Sequence, residues 1–285
     1  MQNEYAGLNK FKVFEELRGI TFPAIVMYPT LIKSNIQNIG PFSVKATNNA
    51  EIKEGKYPLI IISHGDGGNY LGYLTIAQFM AEQGYIVVML EHYKNNRNDN
   101  ELAGKIENFE NSPKHISLTI DAILEGKFKN YLNKEKIAII GHSIGGYATL
   151  ALAGGIPYTK EGTRVNTVVD KRIKAIILFA PATGFYNYNN SLDIIKIPIL
   201  FFSAEKDKFT TLEEHKKIIN NQLSHNDNVV FKIVKNAGHF SFLSPFPESM
   251  RNPLFLPSTD PKGFDREKFH LELNNKILKF LRKNM

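Results

Sequence analysis

KIAIIGHSIGGYATLALAGG, Lys136 to Gly155, carries a short apolar, β-branched run straight into a glycine-rich turn and on into a helical pattern. Within it Gly141, Ser143 and Gly145 fit G-x-S-x-G. Between a strand and a helix, that spacing predicts a nucleophile elbow. The serine backbone sits in a strained turn, and the small residues two before and two after it let strand and helix approach until the hydroxyl projects above the sheet. A glycine-rich turn before an ordinary helix is the plainer reading, and the rest of the chain decides between the two.

On either side of this stretch, short apolar runs alternate with longer helical patterns. Ala24 to Tyr28, Leu59 to Ser63, Ile86 to Leu90, Ile137 to Ile140, Ile173 to Phe179, Ile199 to Phe202 and Val229 to Val234 read as strands. Their nearly continuous apolar content is that of strands buried on both faces. Tyr70 to Gln83, Pro113 to Glu125, Ile144 to Ala153 and Thr210 to Gln222 carry helical spacing, and Phe269, Leu273, Ile277 and Phe280 mark a closing amphipathic helix. The alternation predicts an α/β architecture, a mostly parallel central sheet with helices on both faces. Without an internal repeat or linker, residues 1–285 read as a single domain, with 1–56 supplying N-terminal strands and a loop leading into the core. His92 to Ser112 and Phe240 to Phe264 read as long loops, the second carrying Pro245, Pro247, Pro253, Pro257 and Pro261.

A serine hydroxyl is a poor nucleophile at neutral pH, so an elbow needs a histidine base and a carboxylate to fix its tautomer, in the chain order serine, acid, histidine. IPILFFSAEKDKF, Ile197 to Phe209, places Asp207 just past a strand, with Glu205 as its rival; VVFKIVKNAGHFSF, Val229 to Phe242, places His239 just past the next. Other histidines fit less well. His142 precedes the serine and points away from it in an elbow, His64 lies in the wrong order, and His115, His215, His225 and His270 lie in or beside predicted helices. Backbone donors for a tetrahedral oxyanion are expected from the N–H of Ile144 and, in SHGDGGNY (Ser63 to Tyr70), from the N–H of Asp66, where Gly65, Gly67 and Gly68 permit close approach.

Composition narrows the chemistry further. The 285 residues include no cysteine, which excludes disulfide scaffolds, thiolate metal sites and a cysteine nucleophile. No G-x-x-x-x-G-K-[ST] loop and no zincin spacing occur, so neither a cofactor nor a metal is expected. The net charge of +7 arises from 35 basic residues scattered among 28 acidic ones, and the densest basic stretch, after Pro261, reads as a solvated helix face rather than a nucleic-acid surface. No apolar run approaches the roughly 18–20 residues that span a bilayer. The amino terminus lacks the apolar stretch of a signal peptide, which predicts a cytoplasmic protein.

Taken together, YPLIIISHGDGGNY, AEQGYIVVMLEHY, SPKHISLTIDAIL, the elbow stretch, RIKAIILFAPATG, IPILFFSAEKD, NAGHFSFL and DPKGFDREKFHLELNNKILKFL resemble the α/β-hydrolases of the predicted dienelactone hydrolase group, relatives of plasma-type platelet-activating factor acetylhydrolases. The resemblance implies Ser143 as nucleophile, His239 as base and Asp207 as acid. Two departures limit it. Dienelactone hydrolases attack through cysteine, absent here. The acetylhydrolases carry their acid after the strand that here reads AIILFAPA, where no carboxylate occurs, and this favours Asp207 after the next strand.

The gap PATGFYNYNNSLDIIK, Pro181 to Lys196, is too short for a large helical cap. The pocket is therefore expected to be lined by His92, Tyr93, Phe185, Tyr186 and Phe240, and an uncapped site suits small or short-acyl esters. The resulting expectation is a cofactor-independent serine ester hydrolase working through an acyl-enzyme on a small-molecule substrate. A peptidase or acyltransferase with the same triad, or a non-catalytic binding protein of this fold, are the alternatives.

Overall fold

A computed structural model describes residues 4–285 of the chain. Its framework is a sheet that holds ten strands among the described residues. In chain order these are β1 (Tyr5–Glu15), β2 (Ile20–Thr30), β3 (Asn35–Ile39), β4 (Phe42–Asn48), β5 (Tyr57–Ser63), β6 (Ile86–Leu90), β7 (Leu132–His142), β8 (Ile173–Phe179), β9 (Ile199–Ala204) and β10 (Val229–Val234). They lie in the order β10-β9-β8-β7-β5-β6-β2-β1-β4-β3. From β10 to β6 neighbouring strands are parallel, and β2 then pairs antiparallel with β6. This is the helix-covered, mostly parallel sheet that the alternation of runs predicts, and the α/β-hydrolase architecture that the resemblance implies.

Strands β5, β6, β8 and β9 are buried almost throughout because helices cover both faces. On one face lie α1 (Leu74–Glu82) and α5 (Arg266–Asn284), packed through Ile76, Met80, Phe269, Leu273 and Ile277. The other face is covered by α2 (Ile106–Glu125), α3 (Ile144–Leu152) and α4 (Leu212–Gln222), through Ile116, Ile120, Leu150 and Ile218. Local chemistry sets the helix starts: Thr211 and Glu214 form a reciprocal capping box on α4, and Asp265 accepts from the Lys268 amide on α5.

Two sequence expectations change. Ile106 to Ser112 is helical rather than loop, because Pro113 lies inside α2 instead of starting it. A proline there leaves the carbonyl four residues back without its helical donor. That carbonyl, of Phe109, accepts the Tyr147 hydroxyl at 3.1 Å instead, so a contact from α3 offsets the break. Secondly, β1, β3 and β4 extend the sheet beyond the single N-terminal run read at Ala24 to Tyr28. Phe240 to Phe264 is irregular apart from 3₁₀ turns, as its prolines imply. Among the described residues no helix is long and apolar enough to cross a membrane.

The connections decide where a site can lie. The chain runs from β5 to β6 on one side of β5, then crosses back to β7 on the other. Such a reversal opens a crevice at the carboxyl ends of the strands, here between β5 and β7. The loop Ser63 to Tyr70 and the turn at Ser143 emerge on either side of it.

Candidate active site

Ser143 has φ +55° and ψ −118°, a conformation that costs a side-chain-bearing residue roughly 1–3 kcal/mol. Neighbouring backbone holds it there: its amide donates to the Phe179 carbonyl at 3.0 Å and its carbonyl accepts from Ala182 at 2.9 Å. The flanking glycines are required by contact. A Cβ at Gly145 would overlap the Ser63 carbonyl, and one at Gly141 would overlap Thr149 and the Gly145 carbonyl. Gly65 is equally constrained from across the crevice, since a Cβ there would lie 2.9 Å from that of Ser143.

Past the end of β10, His239 Nδ1 meets Asp207 Oδ2 at 2.7 Å, with both side chains almost wholly buried. The carboxylate also accepts from the amides of Phe209 (2.7 Å) and Thr210 (3.0 Å) and from the Thr210 hydroxyl (3.0 Å). Burial pushes Asp207 upward, but the His239 contact and those amides outweigh it and hold the carboxyl below its ordinary value. An ionised Asp207 accepts only, so the proton of this bond is on Nδ1, which leaves Nε2 as the lone-pair nitrogen of the neutral tautomer. Glu205, the rival acid, instead accepts from the Asn236 amide at 2.7 Å.

Ser143 and His239 border one cavity of about 650 Å³. Among the described residues the Ser143 hydroxyl makes no hydrogen bond to a protein group, and the amides of Ile144 and Asp66 also donate to none. The Asp66 loop is itself held down: Gly67 donates to Asn95 Oδ1 (2.9 Å), Gly68 to the Gly65 carbonyl (3.0 Å), and the Arg97 amide to the Gly68 carbonyl (2.8 Å). Preorganised, unpartnered amides beside a serine suit a developing oxyanion.

His142, which its place before the elbow serine sets aside as a base, ties the parts together. Its Nε2–H donates to the His239 carbonyl at 3.0 Å, and its Nδ1 accepts from the Tyr73 hydroxyl at 2.9 Å. Burial lowers its pKa to about 3, so the ring is neutral and this tautomer is fixed by its two partners.

Four of the five expected lining residues lie elsewhere. Phe240 borders the cavity. His92 is buried beneath the loop Ser63 to Tyr70, against Ser63 Oγ at 2.8 Å and His115 Nδ1 at 3.3 Å, while Tyr93 packs into the α2–α3 face of the core. Phe185 rests on Phe109 and Tyr147 on that same face, and the buried Tyr186 donates to the Tyr147 carbonyl at 2.8 Å. The cavity opens on the opposite, α1–α5 face. Its walls come from Phe42, Tyr70, Phe209, Leu243, Phe246 and Phe255, and Asp66, Glu91 and Arg97 supply charge. The prolines after His239 flag the Leu243 to Pro257 wall; nothing local flags Phe42, which arrives from β4.

The buried histidines make stability pH-dependent. His64 donates through Nδ1 to the Gly65 carbonyl and accepts the His92 amide on Nε2, and burial lowers its pKa to about 4; burial takes His115 to about 3. Unfolded, both titrate near the ordinary value of about 6.5. The unfolded chain therefore binds more protons below that point, so stability is full above about pH 6.5 and is lost as pH falls toward 4. Each of the two is expected to cost on the order of 2 kcal/mol at pH 5. A urea midpoint unchanged between pH 7.5 and 5 would contradict this.

Comparison with known proteins adds ancestry to this geometry. The sequence profile described as the dienelactone hydrolase family matches residues 45–253. Two curated relatives from Thermobifida alba are similar: cutinase est1, 22% identical over 188 residues, covering 65% of this chain and 54% of that protein, and cutinase est2, 23% identical, covering 65% and 53%. The match thus spans about half the length of those relatives. Among solved structures, a ferulic acid esterase from Streptomyces cinnamoneus superposes with a TM-score of 0.75 at 14% identity, covering 99% of this chain and 90% of that one, which speaks to the fold.

Proposed function

The chain belongs to the dienelactone hydrolase family, and from that premise we propose that it is a serine hydrolase cleaving carboxylic esters through an acyl-enzyme. Ser143 is the nucleophile, His239 the base and Asp207 the acid, all within one hydrolase domain. The observation that carries this reading is the 2.7 Å bond from His239 Nδ1 to Asp207, at a cavity that both Ser143 and His239 border. In the reaction, Nε2 takes the Ser143 proton as Oγ attacks the ester carbonyl. The oxyanion is received by the amides of Ile144 and Asp66. Collapse expels the alcohol, which takes its proton from His239, and water then repeats the sequence to release the acid. The Asp66 carboxylate must face away from that oxyanion. Family membership and the cutinase relatives support esters over amides. A 650 Å³ cavity suits a small ester, one side of which is short.

Active-site labelling tests the reading. A p-nitrophenyl phosphonate is expected to add one phosphonyl group at Ser143, found by peptide mass spectrometry, with stoichiometric release of nitrophenol. Labelling elsewhere, with Ser143 unmodified, would overturn it.

A further inference from the structure

Glu91 directly follows β6 and is 8% exposed, yet among the described residues no protein group donates to its carboxylate. A carboxylate so buried ordinarily has a partner. Its oxygens are not sealed within protein, and the residue borders the cavity that holds Ser143. Arg97, the cation on the same cavity, does not neutralise it: the two form no ion pair, and the guanidinium lies over the Phe255 ring at 5.3 Å. Burial raises Glu91 above its ordinary value, as expected of an acceptor without a donor.

Strand order gives the distance scale. The strand of Ser143, β7, and the strand of Glu91, β6, flank β5, so their ends lie two strand spacings, about 10 Å, apart. The loop that follows β5 crosses this span with Asp66 and Asn69, and the rings of Tyr70 and Phe246 and the side chain of Leu243 border the same cavity. An aryl ring attached to the ester through a short spacer fills such a distance, and a donor at its far end would reach the carboxylate.

We propose that Glu91 is a specificity-determining acceptor, selecting aryl esters that carry a hydroxyl or ammonium group on the ring side remote from the scissile bond. This deepens the reading of Ser143 as an ester-cleaving nucleophile and rests on it. A neutral ring without a donor leaves the buried carboxylate unpaired in the complex, which is the source of discrimination.

The test compares kcat/KM for matched esters. One series consists of acetates of 2-arylethanols bearing 4-hydroxyl, 4-aminomethyl or 4-methyl; the other consists of methyl 3-arylpropanoates with the same ring groups, so that either half of the ester can occupy the cavity. The native enzyme is expected to favour a donor-bearing member over the methyl one by about 10- to 100-fold in at least one series. Hydroxyl and aminomethyl arms distinguish a neutral from a cationic donor. In Glu91→Met the ratio is expected to collapse to about 1, and Glu91→Gln to restore part of the hydroxyl preference, with phosphonate labelling of Ser143 confirming that each variant is folded. Turnover without donor preference in either series, or a preference that survives in Glu91→Met, overturns the assignment of Glu91 alone. Failure of the native enzyme to hydrolyse any ester overturns the underlying reading together with it.

Discussion

Replacing Ser143 with alanine is expected to lower kcat on a short p-nitrophenyl ester by about 10⁴-fold or more. The change removes one oxygen, and with it the covalent route. What survives is the rate from cavity binding and from the amides of Ile144 and Asp66. Folding should be spared, because alanine meets the same backbone constraint: Ala180 already holds a positive φ of +41° beside the elbow. The check is a progress curve paired with a thermal melt. A melting temperature within a few degrees of the native protein, together with undiminished hydrolysis, would remove Ser143 from the mechanism.

Asp207→Asn is expected to cost about 10³- to 10⁴-fold in kcat through a different physical route. An asparagine oxygen can still accept from Phe209 and Thr210, so the loop keeps its shape. Its amide nitrogen then confronts His239 Nδ1 with a donor. The imidazole answers by placing its proton on Nε2, where the base must be bare. Geometry persists while the tautomer becomes wrong. Glu205→Gln is the control: its oxygen accepts from the Asn236 amide, and an amide oxygen can do the same, so activity should stay within a few-fold of native. If Glu205→Gln rather than Asp207→Asn abolishes turnover, the acid has been misassigned.

Much of this arrangement is legible in the sequence because it depends on local order. Ser143, Asp207 and His239 each fall just past the end of an apolar run, and parallel strands in one sheet place such ends along a single edge. The wall residues have no comparable signal. Phe42 reaches the cavity from the N-terminal extension, and Phe246 and Phe255 from an irregular segment whose path no periodicity describes. Its place before the elbow serine dismisses His142 as a base, yet its tie between Tyr73 and the His239 carbonyl exists only once three distant segments have met. Local rules misplace the start of α2 because a proline normally opens a helix, and the Tyr147 hydroxyl that offsets it here lies 34 residues away in α3.

The sequence by itself determined the parallel run of strands, its helical cover and the glycine-flanked turn at Ser143, since apolar period and turn chemistry are properties of neighbouring residues. Only the tertiary structure decided which face of the sheet the cavity opens on. Alternate residues of a strand point to opposite faces, so Met89 joins the α1–α5 face of the core and Leu90 the α2–α3 face. Continued past the strand, that alternation puts Glu91 at the cavity and buries His92 under the loop Ser63 to Tyr70. A single residue of parity separates the two, and it is settled by where Phe42, Phe246 and Phe255 come to rest.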